Sequence, residues 1–331
     1  MPATVPIAVP PPPSAASEFE LIRRHFSRPC AHTTLAGGDD AALLQPRAGM
    51  QLAVSTDMLV AGTHFFADTD PAGLGWKALA VNVSDLAAMG AAPRWALLSL
   101  ALPAADEAWI AAFADGFYAC AARYGVDLAG GDTTRGPLNL SVTIIGEVPP
   151  ARAVTRGGGR PGDDLWVSGQ PGLAALGLAM LRGQFRPDRD GERCLDALHR
   201  PQPRVELGLA LRGVASAMLD VSDGLLGDLG HILEQSRCGA IVELDRLPVA
   251  ALLATGADPL LAQRCLLRGG DDYELLFSAP PAERTTLAGL SQRLALPLTR
   301  IGCLTEPGSL LLRHADGRLE PAAAAGYDHF A

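Results

Sequence analysis

The stretch from Ser55 to Gly90 constrains this chain most strongly. Leu52-Ala53-Val54 has β-strand character, so Asp57, in Ser55-Thr56-Asp57, is expected where a strand gives way to a loop. Beyond it, the run from Ala78 to Met89 is apolar on all sides and reads as a buried helix, yet it carries Asp85. A carboxylate inside such a helix is expensive unless it is paired, hydrogen-bonded or bound to a cation. Two acids placed this way suit metal ligands. Each alone also has a plain structural reading, a strand-end cap at Asp57 and a buried hydrogen-bonded acid at Asp85.

The same pattern returns along the chain. Gly37-Gly38-Asp39-Asp40 is an acidic turn close to the Asp57 strand. A short strand, Val126 to Ala129, runs into Gly130-Gly131-Asp132-Thr133-Thr134-Arg135-Gly136, either an ordinary turn or a backbone nest for a phosphate. In the second half, strand Ala217 to Val221 leads into Ser222-Asp223-Gly224, so Asp220, Ser222 and Asp223 form another acidic strand end. Gly269-Gly270-Asp271-Asp272-Tyr273-Glu274 precedes strand Leu275 to Ser278. Arg156, in a Gly- and Pro-rich loop ending at Asp163, is either a phosphate-binding arginine or a solvated linker charge.

Between these points the spacing predicts helices over 18–26, 106–124, 173–182, 203–215, 225–236 and 281–293, and strands over 95–101, 138–148 and 165–168. Residues 184–193 read as a charged loop. The fold class is mixed α and β (α+β) in two halves that echo each other. The expected division is a disordered or polyproline leader over 1–15, an N-terminal domain over 16–150 and a C-terminal α/β domain over 151–331.

Composition narrows the function. The 331 residues are 48% hydrophobic, enough for a sizeable core. The net charge is −9 with no basic block, which argues against nucleic acid or an anionic membrane as partner. Trp95 to Ala105, the longest apolar stretch, is broken by Pro103 and too short to span a bilayer. Six widely spaced cysteines without a C-x-x-C pair fit reduced thiols in a cytoplasm. There is no lysine-bearing P-loop, G-x-G-x-x-G fingerprint, nucleophile elbow or zinc helix. What remains is a surplus of aspartates, hard oxygen ligands of the kind that hold Mg²⁺ against substrate phosphates.

Six ordered motifs together carry a resemblance over nearly the whole chain, Glu18 to Phe330. They are Gly-Asp-Asp-Ala at 38–41, Ser-Thr-Asp-Met-Leu-Val with Gly-Thr-His-Phe at 55–65, and Trp-Lys-Ala-Leu-Ala-Val-Asn-Val-Ser-Asp-Leu-Ala-Ala-Met-Gly at 76–90. Gly-Gly-Asp-Thr-Thr-Arg-Gly-Pro at 130–137, Asp-Val-Ser-Asp-Gly-Leu at 220–225 and Gly-Gly-Asp-Asp-Tyr-Glu-Leu at 269–275 complete the set. The chain resembles the thiamine-monophosphate kinase family, within the superfamily of aminoimidazole ribonucleotide synthetase.

The resemblance implies a two-domain aminoimidazole ribonucleotide synthetase-like fold whose N-terminal sheet forms a homodimer interface. It implies ATP-dependent phosphorylation of thiamine phosphate to thiamine diphosphate, with several Mg²⁺ ions and no covalent nucleophile. By position, Asp40, Ser55, Thr56, Asp57, Asp85, Asp132, Asp220 and Asp223 resemble the family's Mg²⁺ ligands. Gly131, Asp132, Arg156 and Ser222 resemble its ATP contacts, and His64, Asp271 and Tyr327 its thiamine phosphate contacts. The family often has glutamate at position 271 and tryptophan at position 327. Two other readings of the acids are a different enzyme of the superfamily and a non-catalytic Mg²⁺-nucleotide-binding regulator.

Overall fold

A computed structural model describes residues 17–324 and residue 326. The expected leader and Tyr327 lie outside the described residues. In the first half, α1 (Glu18–His25) and a small hairpin, β1 (Thr33–Leu35) with β2 (Leu43–Leu44), precede β3 (Gln51–Val60) and α2 (Pro71–Ala88). Then come β4 (Ala92–Leu102), α3 (Glu107–Tyr124), β5 (Asp127–Arg135) and β6 (Asn139–Val148). The sheet order is β3-β6-β4-β5. Only β4 and β5 run parallel, joined by α3 as the crossover such a pair requires.

Helices α2 and α3 cover one face of this sheet. Their backbones meet because glycines stand at the crossing. A Cβ on Gly116 would lie 1.8 Å from the Ala72 carbonyl oxygen, and one on Gly75 would lie 2.0 Å from that of Phe113. Two further features fix the start of α2. Asp70 caps its first turn, accepting from the Gly73 N–H, and Pro71 occupies the position where a missing N–H is harmless. The helix is buried along nearly its whole length, as its all-round apolar pattern predicts.

The second half follows in the order β7 (Asp164–Ser168), α4 (Leu173–Leu181), α5 (Gly191–His199), α6 (Val205–Ala210), β8 (Ala217–Asp220) and α7 (Leu225–Ser236). It continues with β9 (Gly239–Glu243), α8 (Ala250–Ala254), α9 (Pro259–Arg268) and β10 (Leu275–Ala279). The last elements are α10 (Arg284–Leu294), β11 (Leu298–Thr305), β12 (Leu310–Arg313) and β13 (Leu319–Pro321). Its seven strands are ordered β13-β12-β9-β11-β7-β10-β8, antiparallel except for β12 against β9. Apolar clusters fill both faces of this sheet. Helix α2 also packs on α6 and β8, so one helix is shared by the cores of both halves. Gly208 on α6 makes that approach possible, since a Cβ there would lie 2.0 Å from the Ala87 carbonyl oxygen.

Four local expectations are corrected. Asp57 lies inside β3, because β6 pairs with that strand as far as Val60 opposite Asn139. Gly130-Gly131-Asp132 is not a turn after a strand but the middle of β5, with Gly131 opposite Leu98 and Asp132 opposite Ser99. Glycine is needed there because a Cβ on Gly131 would lie 1.8 Å from the Leu98 carbonyl oxygen. The helix expected over 203–215 is the short α6, and α8 and α9 occupy a stretch with no expected helix. The charged segment 184–193 gives way at Gly191 to α5.

Candidate active site

The two halves meet at a cleft of about 1060 Å³ whose wall is built outward from α2. Lys77, Val81 and Asp85 line it, spaced four residues apart on one stripe of the helix. The polar residues of that buried helix all have work. Asn82 Oδ1 accepts the backbone N–H of Asp57 at 3.1 Å, fixing β3 to the helix. Ser84 Oγ donates to Asp220 Oδ2 at 2.6 Å, tying the first half to the second. Ser55 Oγ donates to Asp85 Oδ2 at 2.5 Å.

The opposite wall comes from two loops of the second half that hydrogen-bond to each other. The Asp271 N–H donates to the Ser222 carbonyl and the Tyr273 N–H to that of Val221, both at 2.8 Å. Asp228, in the first turn of α7, accepts the N–H groups of Ser222, Asp223 and Gly224 at 3.0 to 3.1 Å on one oxygen. The second loop is anchored by its own acids. Asp272 accepts from the Gly172 and Ala174 N–H groups. Glu274 takes a two-pronged bond from Arg204, at 2.6 and 2.5 Å. With both neighbours pinned, Asp271 and Tyr273 are held in the left-handed region, at φ 68° and 52°. Such backbone strain persists where the surroundings over-determine it, typically at binding sites.

Burial and mutual repulsion set the electrostatics. Asp57 is pushed up to about 7 by burial first, then by the charges of Asp85 and Asp223. Asp220 is pushed up to about 8 by burial and Asp85, against the Ser84 hydrogen bond. Burial also raises Asp85, while the Ser55 hydroxyl and the Arg156 charge hold it down. Asp228 is raised to about 7 by burial despite its three N–H donors. These acids resist ionising together, so the acidic end of the cleft favours a bound cation. Elsewhere in the lining, the Val60 N–H donates to His64 Nδ1 at 3.0 Å, so the proton of the neutral ring sits on Nε2.

Of the residues singled out from sequence, Thr56, Asp57, His64, Asp85, Asp220, Ser222, Asp223 and Asp271 line this one cleft. Ser55 stands behind it on Asp85. Asp40, Gly131, Asp132 and Arg156 are not in its lining, and Asp132 is exposed on β5. Sequence reasoning missed Lys77, Asn82, Ser84 and Asp228. A polar residue in an all-apolar helix was the available signal for the first three.

Among the described residues, no three His, Cys, Asp or Glu side chains are grouped as a ready-made metal cage. The donor set still fits Mg²⁺, which takes one or two carboxylates and completes its shell with water and substrate phosphates. Such a cation would compensate the negative charge that Asp57, Asp85, Asp220 and Asp223 bring to the cleft.

Comparison with known proteins agrees with this architecture. Residues 38–148 match the AIR synthase related protein N-terminal domain, and residues 160–314 match its C-terminal domain. The thiamine-monophosphate kinase of Escherichia coli strain K12 is 46% identical over 322 residues, covering 96% of this chain and 99% of that one. The crystal structure of thiamine-monophosphate kinase from Stenotrophomonas maltophilia K279a is 48% identical with a TM-score of 0.81, covering 91% of this chain and 95% of that one. AaThiL, solved complexed with AMPPCP and TMP, is 29% identical with a TM-score of 0.74, covering 95% of this chain and 97% of that one. Both halves and nearly the full length are shared, and the chain belongs to the thiamine-monophosphate kinase family of AIR synthase related proteins.

Proposed function

We propose that this protein transfers the γ-phosphoryl group of ATP to thiamine phosphate, giving thiamine diphosphate and ADP. The observation that carries this reading is one cleft in which both halves place aspartates, in a chain aligned end to end with thiamine-monophosphate kinases. ATP and thiamine phosphate are both anionic at their phosphates, and two unit charges about 4 Å apart repel by about 4 kcal/mol at an effective dielectric of 20. Asp57, Asp85, Asp220 and Asp223, with Ser55 and Thr56 beside them, would hold Mg²⁺, which when bound supplies neutralisation of that phosphate charge. Asp40 and Asp132 belong to the same proposed ligand set on their motifs, and Gly131, Asp132, Arg156 and Ser222 to the nucleotide contacts. For Arg156, its electrostatic influence on Asp85 is further support.

The residues themselves position and exclude. His64, presenting Nε2–H, and Asp271 are the proposed acceptor contacts, and Tyr327 joins them from the family resemblance alone. No side chain needs to form a covalent bond, because in-line transfer between two phosphates rests on alignment and charge compensation. The test is incubation with MgATP and thiamine phosphate, products resolved chromatographically. Thiamine diphosphate should form, and none should form in excess chelator; its formation at full rate in chelator would remove the metal from the reading.

Two further parts of the proposal concern assembly and place. The face of β3 turned away from α2 exposes Leu52, Val54 and Met58, at 47%, 62% and 56%. Ile145 lies beside Val54 on β6, extending this apolar surface. We infer that a second copy covers it, giving a homodimer through the N-terminal sheets. Sedimentation at micromolar concentration should give twice the chain mass; a monomer would contradict it. The domain division falls within 149–162, between residues 16–150 and 151–331. No helix among the described residues is long and apolar enough to cross a membrane. All six cysteines carry free thiols, which supports a cytoplasmic place.

A further inference from the structure

Lys77 is the cation of the cleft wall most removed from water. It sits on the cleft stripe of α2 with its side chain only 5% exposed. A lysine that deep is rarely tolerated without a partner. Its Nζ lies 2.9 Å from Asp271 Oδ1, across the boundary between the two halves. The Tyr273 hydroxyl donates to that same Oδ1 at 3.2 Å. Tyr273 is buried, and burial together with Asp271, Asp57 and Asp220 raises its phenol well above the ordinary value, so it stays a donor. The Asp271 backbone is fixed as well, through its N–H to Ser222 and its left-handed conformation.

An ammonium and a hydroxyl donor therefore converge on one oxygen of a carboxylate that offers two. Neutralising a buried charge requires only one of them. Fixing both the rotation and the position of the carboxylate requires both. Asp271 still has 31% of its side chain exposed and lines the cleft. We propose that Lys77 and Tyr273 are positioning residues that lock Asp271 through Oδ1, so that Oδ2 is presented to a hydrogen-bond donor of the acceptor's heterocycle. This rests on the reading of the cleft as the thiamine phosphate site. Because Lys77 rides on the helix that carries Asp85, the lock also sets the acceptor against the acidic end of the cleft. A pair placed this way acts on acceptor binding rather than on the nucleotide.

The test is a double-mutant cycle read as Michaelis constants, with wild type, Lys77→Met, Asp271→Asn and the double variant. Lys77→Met is expected to raise the KM for thiamine phosphate about tenfold while kcat and the KM for ATP change less than about threefold. Asp271→Asn should do the same, and adding Lys77→Met to it should change little further, since the lock then has nothing to hold. Tyr273→Phe removes a single atom and keeps the fold if Lys77→Met does not; it should raise the same KM by about threefold and be equally silent beside Asp271→Asn. Additive effects in either cycle would show Lys77 or Tyr273 acting directly on a substrate and overturn the lock. So would an unchanged KM, or an equal rise in the KM for ATP. A wild-type protein that does not turn over thiamine phosphate would overturn the reading of the site itself, and this inference with it.

Discussion

Replacing Asp57 by Asn should stabilise the metal-free protein at alkaline pH while abolishing turnover. The carboxyl's ordinary value is 3.8, and in the fold it rises to about 7. Between those values the folded chain holds a proton that the unfolded chain has released. Stability therefore falls as pH rises through this window, and the deficit is complete above about pH 7. At about 1.4 kcal/mol per pKa unit, the rise corresponds to about 4 kcal/mol at most, of which about 2.5 kcal/mol develops between about pH 5 and pH 8. Local relaxation and partial protonation of Asp85 and Asp220 reduce this, so a gain growing by about 1–2 kcal/mol from pH 5 to pH 8 is expected for Asp57→Asn. The assay is urea unfolding of both proteins in chelator at the two pH values. Equal midpoint differences at both would refute the burial and repulsion argument, as would a variant less stable than wild type at pH 8. A variant that is more stable yet inactive identifies a residue kept for function against its effect on stability.

Two further substitutions probe the walls of the cleft. Asp228→Ala leaves three loop N–H groups without their acceptor and should lower stability by about 2–4 kcal/mol and slow turnover, whereas Asp228→Asn keeps an accepting oxygen and should be much milder; equal effects in thermal unfolding and kinetics would refute the carboxylate's role as a loop anchor. Gly116→Ala places a Cβ where the Ala72 carbonyl oxygen stands, 1.8 Å away, and should destabilise by more than about 3 kcal/mol as α2 and α3 are forced apart. A loss under about 1 kcal/mol in denaturant unfolding would show that the helices do not meet at that glycine.

Much of this arrangement was legible because the chemistry is written in local patterns. The all-round apolar run from Ala78 to Met89 reads as a buried helix, and α2 is one. Asp57 and Asp85 in the first half, and the acids beside Gly224 and Gly270 in the second, marked the cleft from both sides, whereas Asp40 and Asp132, also in glycine-bearing motifs, do not line it. The unread parts depend on partners far away in the chain. Ser84 reaches Asp220 across 136 residues, and Lys77 reaches the Asp271 loop in the other half, so the apolar helix around them flags each as unusual without naming its partner. Asp228 looks like any acid favouring a helix N-terminus, and only the loop folded onto it reveals the three N–H donors. In β5 the glycines read as a turn, whereas Gly131 is there because the Leu98 carbonyl of β4 stands too close for a side chain.

Phosphoryl transfer to an acceptor that already bears a phosphate is tested by offering equimolar thiamine and thiamine phosphate to the protein with limiting MgATP and resolving the products. Free thiamine has no phosphate to lie against the acidic end of the cleft, and its hydroxyl would sit one phosphoryl group short of the donor. A misplacement of about 1 Å can already slow transfer about 100-fold. The account predicts thiamine diphosphate in one-to-one proportion with ADP and no new thiamine phosphate. Phosphorylation of thiamine at a comparable rate, or ADP without thiamine diphosphate, would contradict it.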